Sequence, residues 1–299
     1  MTHHLPSLKH LEFGGAKAVP DPALITLIQD LMQQGSVYRW LTEEDIHLKF
    51  VDKYREWISH TELNEIQGLS CYPISAASNG TSESFDKFYL KNHRRRFRCF
   101  RGEYMYHAAS WKNYFPNWRW IDDADIDAQD AVIISYPFSD TGDQHPDMDS
   151  TLDQCDRLGV PVLIDCAFFG ACAGLCFDFD RECITDIVFS LSKTVPVAHA
   201  RIGIRFTKTD DDDSLLIHHK TGYLNRMGLG LGLSIMEKIS PDQCFRKFAD
   251  RQRSVCEQLE VEASPTVFLG IDRAGSWKQY NRGTSSNRLC IADRLIEND

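Results

Sequence analysis

The chain has 299 residues, of which 42% are hydrophobic and 25% charged, enough to bury a large core in one or two domains. A formal net charge of −10 and an isoelectric point near 5.5 argue against nucleic acid or an anionic membrane as the main partner. No apolar run is long enough to span a membrane, and "MTHHLPSLKH" lacks the charged-then-apolar order of a signal peptide.

In chain order, "EDIHLKFVDKYREWISH" (44–60) has the spacing of an amphipathic helix. "GTSESFDKFYLKNH" (80–93) reads as a glycine turn opening a second helix. "HRRRFRCFRG" carries five arginines between Arg94 and Arg101 and is expected to be a strand with a solvated basic face. "DAVIISYPFSD" (130–140) and "GVPVLIDCAFFGA" (159–171) are continuous apolar runs, as in parallel strands buried on both faces. Between them "HPDMDSTLDQCDRLG" predicts a helix stopping at Gly159, which completes a βαβ unit. "TDIVFSLSK" and "ARIGIRFTK" predict two more strands, "TDDDDS" (209–214) an exposed turn. The G-x-G pattern of "NRMGLGLGLS" (225–234) has no strand leading into it and no acid at the right distance, so it is not read as a dinucleotide fingerprint. "PDQCFRKFADRQRSVCEQLEVE" predicts a long helix and "PTVFLGI" a strand. None of the ten cysteines forms a C-x-x-C pair, so reduced core thiols in a cytoplasmic protein are expected.

In an open α/β sheet, ligands sit at the carboxyl ends of the strands. Those ends read "SNGTSES" (78–84), "EYMYH" (103–107), "SDTG" (139–142), "IDCAFF" (164–169), "SLSK" (190–193) and "AHAR" (198–201). Together they contain a phosphate cradle, aromatic rings, a buried acid, a lysine and an arginine. A lysine at the end of an apolar strand requires a partner or a reaction to justify its burial.

Four patterns carry a resemblance. The first is S-x-S-K with an arginine eight residues after the lysine: Ser190, Ser192, Lys193 and Arg201. The second is a strand ending D-x-A-[YF], here Asp165, Ala167 and Phe168, with the aspartate 28 residues before the lysine. The third is a P-x-x-x-T-G turn from Pro137 to Gly142, and the fourth an arginine in the short strand "SSNRLCIA". From about residue 36 onward the chain resembles the fold-type-I pyridoxal-phosphate (PLP) enzymes, and within them the class I/II aminotransferase family.

The resemblance implies an α/β, aspartate aminotransferase-like PLP-dependent transferase fold. Its central sheet would be mostly parallel with helices on both faces, joined to a reduced α+β C-terminal small domain. The implied division is residues 1–35 as an N-terminal arm belonging to the small domain, 36–225 as the cofactor domain and 226–299 as the small domain. Lys193 is implied to form the Schiff base with the cofactor and to move the α-proton; burial and nearby cations lower a lysine pKa as that role requires. Asp165 would pair with the pyridinium nitrogen, keeping the ring electron-withdrawing. Gly80, Thr81 and Ser82 at a helix start, with Ser190 and Arg201, would hold the phosphate, and Ser192 is implied to bind the cofactor too. Tyr104 would stack on the ring, with Tyr106 as its rival. Arg288 would grip the substrate carboxylate, with Arg282 and Arg294 near enough in sequence to be confused with it. Tyr38 would reach the phosphate of a partner subunit in a homodimer, and Tyr223, Asn225 or Arg226 the partner's substrate.

Two departures stand out. The family usually places an asparagine and a tyrosine to donate to the cofactor's phenolic oxygen; the matching positions here are Ser139 and Phe168. Only 95 residues separate Lys193 from Arg288, so the small domain is expected to be trimmed. The expected activity is amino transfer between an α-amino acid and a 2-oxo acid. The alternative is a PLP enzyme that eliminates, replaces, decarboxylates or cyclises.

Overall fold

The computed structural model describes residues 11–296. Its elements begin with α1 (Pro22–Leu31), α2 (Gln34–Thr42), α3 (Ile46–Ser59), β1 (Glu65–Gln67), β2 (Ile74–Ser78) and α4 (Thr81–Lys91). There follow β3 (Arg96–Cys99), α5 (Tyr106–Tyr114), β4 (Arg119–Trp120), β5 (Asp130–Ser135), α6 (Met148–Leu158), β6 (Val162–Cys166) and β7 (Cys176–Asp178). The last part holds β8 (Ile184–Ser190), β9 (Gly203–Thr207), α7 (Ser214–Thr221), α8 (Arg226–Met236), α9 (Gln243–Gln258), β10 (Glu262–Ala263), β11 (Leu269–Asp272) and β12 (Asn287–Cys290).

A seven-stranded sheet in the order β2-β9-β8-β6-β5-β3-β4 forms the centre. Every strand in it runs parallel to its fellows except β9, which is antiparallel to both neighbours. The apolar runs fall where two-sided burial demands them: every residue of β5 and β6 is buried. The unit β5-α6-β6 is the predicted parallel crossover, and α6 stops at Gly159 in the left-handed conformation that glycine adopts freely. A separate sheet, β10-β11-β12, is antiparallel and packs with α9.

Two apolar clusters match these layers. The larger spans α3, the central strands and α8; the smaller joins Phe13 and Val19 to Phe248, Val267, Phe268 and Leu289. The first described residues therefore pack with the C-terminal sheet. The helix α8, whose start the sequence reading places at the boundary of the small domain, instead packs on α2 and α3 in the larger cluster. Its glycines explain the G-x-G pattern: a Cβ on Gly230 would lie inside the Trp40 indole, so the spacing serves helix packing.

The basic run differs from expectation. Only Arg94 of its five arginines is exposed. Arg98 is fully buried, donating to Asp130 at 2.6 Å and to the carbonyls of Trp120, Ile121, Ala124 and Asp125. Arg96 donates to both carboxylate oxygens of the same Asp130, at 2.6 and 3.0 Å. Arg96 and Arg98 thus form an ion-pair clamp on Asp130 instead of facing solvent together with Arg94, because a buried guanidinium is tolerated only when paired and hydrogen-bonded.

Candidate active site

A cavity of about 430 Å³ opens at the carboxyl ends of β5, β6 and β8. It is lined by most of the residues singled out from sequence: Thr81, Ser82, Tyr104, Ser139, Asp165, Phe168, Ser190, Ser192, Lys193, Arg201 and Arg288. These come from strand ends far apart in sequence, which the parallel sheet brings level.

At one end, Gly80 turns the chain from β2 into α4 with φ +74°, and no side chain caps the helix. The first amides of α4, from Thr81 onward, are therefore free to meet an anion. Arg201 also adopts a left-handed conformation (φ 55°), uncommon for a residue with a Cβ. That turn directs its guanidinium onto the Asn79 carbonyl at 3.0 Å and the Ser82 hydroxyl at 2.9 Å. A Cβ on Gly80 would collide with this guanidinium, so only glycine permits the approach. The Ser190 hydroxyl lies 2.7 Å from that of Ser192 and donates to the Ile202 carbonyl at 3.0 Å. This end is a cradle for a compact anion.

In the middle, Asp165, the next-to-last residue of β6, accepts the amide of Ala167 at 3.1 Å. Burial, and then the nearby Glu103, push its pKa up to about 8. Among the described residues no cation forms an ion pair with it. Lys193 ends the turn after β8, and burial lowers its pKa. Its Nζ donates to the Ala16 carbonyl at 2.5 Å. Tyr104 lines the cavity while its neighbour Tyr106 donates to Asp86 at 2.9 Å outside it. Phe168 packs edge-on against Phe268, centroids 5.1 Å apart, and carries no donor.

At the far end, Arg288 is buried on β12 and donates to the carbonyls of Ser139 (2.6 Å) and Gly14 (3.2 Å). Its Nε has no partner. Arg282 also lines the cavity, donating to the Ser139 carbonyl at 2.9 Å and the Glu103 carbonyl at 2.9 Å. Arg294 lies elsewhere, on Glu12 at 2.7 Å and over the Phe13 ring. Tyr38 is exposed on α2 and does not line this cavity. Tyr223 is exposed, the Asn225 side chain caps α8, and Arg226 donates to the carbonyls of Leu41 and Glu43.

Three features had no clear signal in the sequence. Glu103 is a lone acid before Tyr104, Arg282 had no motif of its own, and Gly14–Ala16 reach the cavity from the N-terminal side. Among the described residues no cluster of His, Cys, Asp and Glu is arranged to hold a metal ion.

No protein-family model matches the sequence, and no curated protein is significantly similar to it. Solved structures do match. The histidinol-phosphate aminotransferase from Clostridium acetobutylicum superposes with a TM-score of 0.63 at 12% identity, covering 95% of each chain. The tyrosine aminotransferase from Leishmania infantum gives 0.63 at 12%, covering 95% of this chain and 91% of its own. A PLP-bound C-S lyase from Staphylococcus hominis gives 0.64 at 11%, covering 99% of this chain and 87% of its own. The chain has the fold of these proteins.

Proposed function

We propose that the protein is a PLP-dependent enzyme, and within that class an aminotransferase acting between an α-amino acid and a 2-oxo acid. The observation that carries this is one cavity holding Lys193, the uncompensated Asp165 and the Gly80–Arg201 anion cradle. Each of these groups wants something specific: an aldehyde, a cation and a phosphate. PLP offers all three on one molecule, and when bound supplies an electron sink for the substrate's α-carbon. The solved structures of like fold include aminotransferases and a PLP-bound lyase, which supports the class and not the substrate.

The chain's own residues divide the work. Lys193, whose pKa burial lowers, would hold the cofactor covalently and then take and return the proton at the substrate α-carbon. Asp165 would hold the ring nitrogen protonated. Ser82, Ser190, Ser192 and Arg201 with the start of α4 would bind the phosphate, and Tyr104 would cover one ring face. Arg288 would orient the α-carboxylate. A homodimer belongs to this reading, with the exposed Tyr38 and Tyr223 at the interface. So does a cytoplasmic setting: all ten cysteines are free and eight are buried. No helix of the described residues is long and apolar enough to cross a membrane.

A second reading keeps the cofactor and changes the outcome to elimination or replacement. It is favoured by Phe168, which lines the cavity and cannot donate to the ring oxygen. Incubation with a panel of amino acids separates the two. Conversion of the cofactor to its amine form supports amino transfer; pyruvate or ammonia released without an acceptor supports the second reading. No spectral change with any amino acid would count against both.

A further inference from the structure

Glu103 lies in the loop after β3 and is 4% exposed. One of its oxygens accepts the amide of Ser135, and the other has no partner and is sealed from solvent. Ser135 is the last residue of β5 and pairs in register with Asp165 on β6. The two carboxylates therefore sit at adjacent strand ends, and each lines the cavity.

Nearby cations are committed elsewhere. Arg282 meets the main-chain oxygen of Glu103 but approaches the carboxylate of Asp140 at 3.6 Å. Arg288 is held by Ser139 and Gly14, and Lys193 by Ala16. Among the described residues no side chain forms an ion pair with either Glu103 or Asp165. Burial raises the pKa of Glu103 to about 7, in keeping with a carboxylate that has no ion-pair partner.

Resting on the cofactor reading above, we propose that Glu103 is a positioning residue acting through Asp165: its sealed carboxylate selects a ring that carries a positive charge at the nitrogen facing Asp165. The sealed oxygen cannot touch a ligand, so its influence is electrostatic. A second negative charge beside Asp165 increases the attraction for a cation there in a site of low effective dielectric.

The test is equilibrium binding of two compounds to cofactor-free protein, above the pH at which Glu103 titrates. One is PLP; the other is its 1-deaza analogue, in which carbon replaces the ring nitrogen. The wild type prefers PLP. Glu103→Gln retains an acceptor for the Ser135 amide and loses on the order of tenfold of that preference, while the analogue binds within about twofold of wild type. Glu103→Asp keeps the charge and keeps most of the preference. Equal weakening of both compounds in Glu103→Gln would mean a packing role and overturn the proposal. So would an unchanged preference, or an equal loss of preference in Glu103→Asp. A wild type that binds neither compound overturns the cofactor reading and this inference with it, whereas a wild type that prefers PLP leaves the reading standing whatever the variants do.

Discussion

Arg282 and Arg288, six residues apart, donate to one oxygen, the Ser139 carbonyl, at 2.9 and 2.6 Å. That shared acceptor fixes two guanidiniums at the same end of the cavity. Arg288 retains an unpartnered Nε, and its second terminal nitrogen is held only by the Gly14 carbonyl. A substrate carboxylate would replace that carbonyl with a bidentate, charge-assisted pair.

Arg288→Lys keeps the charge and loses the fork. It is expected to raise KM for the amino acid by about 10- to 100-fold with a smaller change in kcat, because carboxylate binding is common to ground and transition states. Steady-state kinetics check this; an unchanged KM would remove Arg288 from carboxylate binding.

Gly80→Ala introduces a Cβ into the Arg201 guanidinium at a backbone conformation of φ +74°. The variant is expected to bind the cofactor at least about tenfold more weakly, with roughly 1–2 kcal/mol lost from the fold. Cofactor titration and thermal unfolding measure the two effects separately. Wild-type affinity in this variant would show that the Gly80–Arg201 approach is not part of the phosphate cradle.

The cofactor-free protein carries a pH dependence of predictable sign. Burial holds Glu103 near 7 and Asp165 near 8, above their values of about 4 in an unfolded chain. Carboxyls with raised pKa values bind protons more tightly when folded. Their contribution to stability is therefore full below about pH 4 and is lost as pH rises toward 7 and 8. Urea unfolding across that window is expected to show stability falling by a few kcal/mol, and the double variant Glu103→Gln/Asp165→Asn to fall less. Parallel profiles for the two proteins would contradict the assigned burial cost.

Phe168→Tyr adds a hydroxyl at the position where the resemblance to class I/II aminotransferases implies a donor. Phe168 lines the cavity and packs edge-on against Phe268, so under the proposed reading the added hydroxyl would be a new donor for the cofactor's phenolic oxygen. Stabilising that oxygen in its ionised form lowers the pKa of the Lys193–cofactor linkage. A visible-light pH titration is expected to show a downward shift of about one unit or more in the variant. No shift would mean that the hydroxyl does not reach the ring oxygen.

What could be read from the sequence is what is local or periodic. The apolar runs of β5, β6 and β8 announce strands buried on both faces, and Lys193 and Arg201 share one short connection between neighbouring strands. Glu103 and Arg282 were not legible because their meaning comes from contacts across 32 and 143 residues. The arginine run misled for the same reason: Asp130, which buries Arg98, is 32 residues away. Alternation along a strand cannot distinguish a side chain facing water from one facing a buried carboxylate.

The account stands most directly on Lys193. Purified protein saturated with PLP, reduced with borohydride and digested, is predicted to yield a single pyridoxyl-bearing peptide with the label on Lys193. A label on another lysine, or none on material that binds the cofactor, would contradict it.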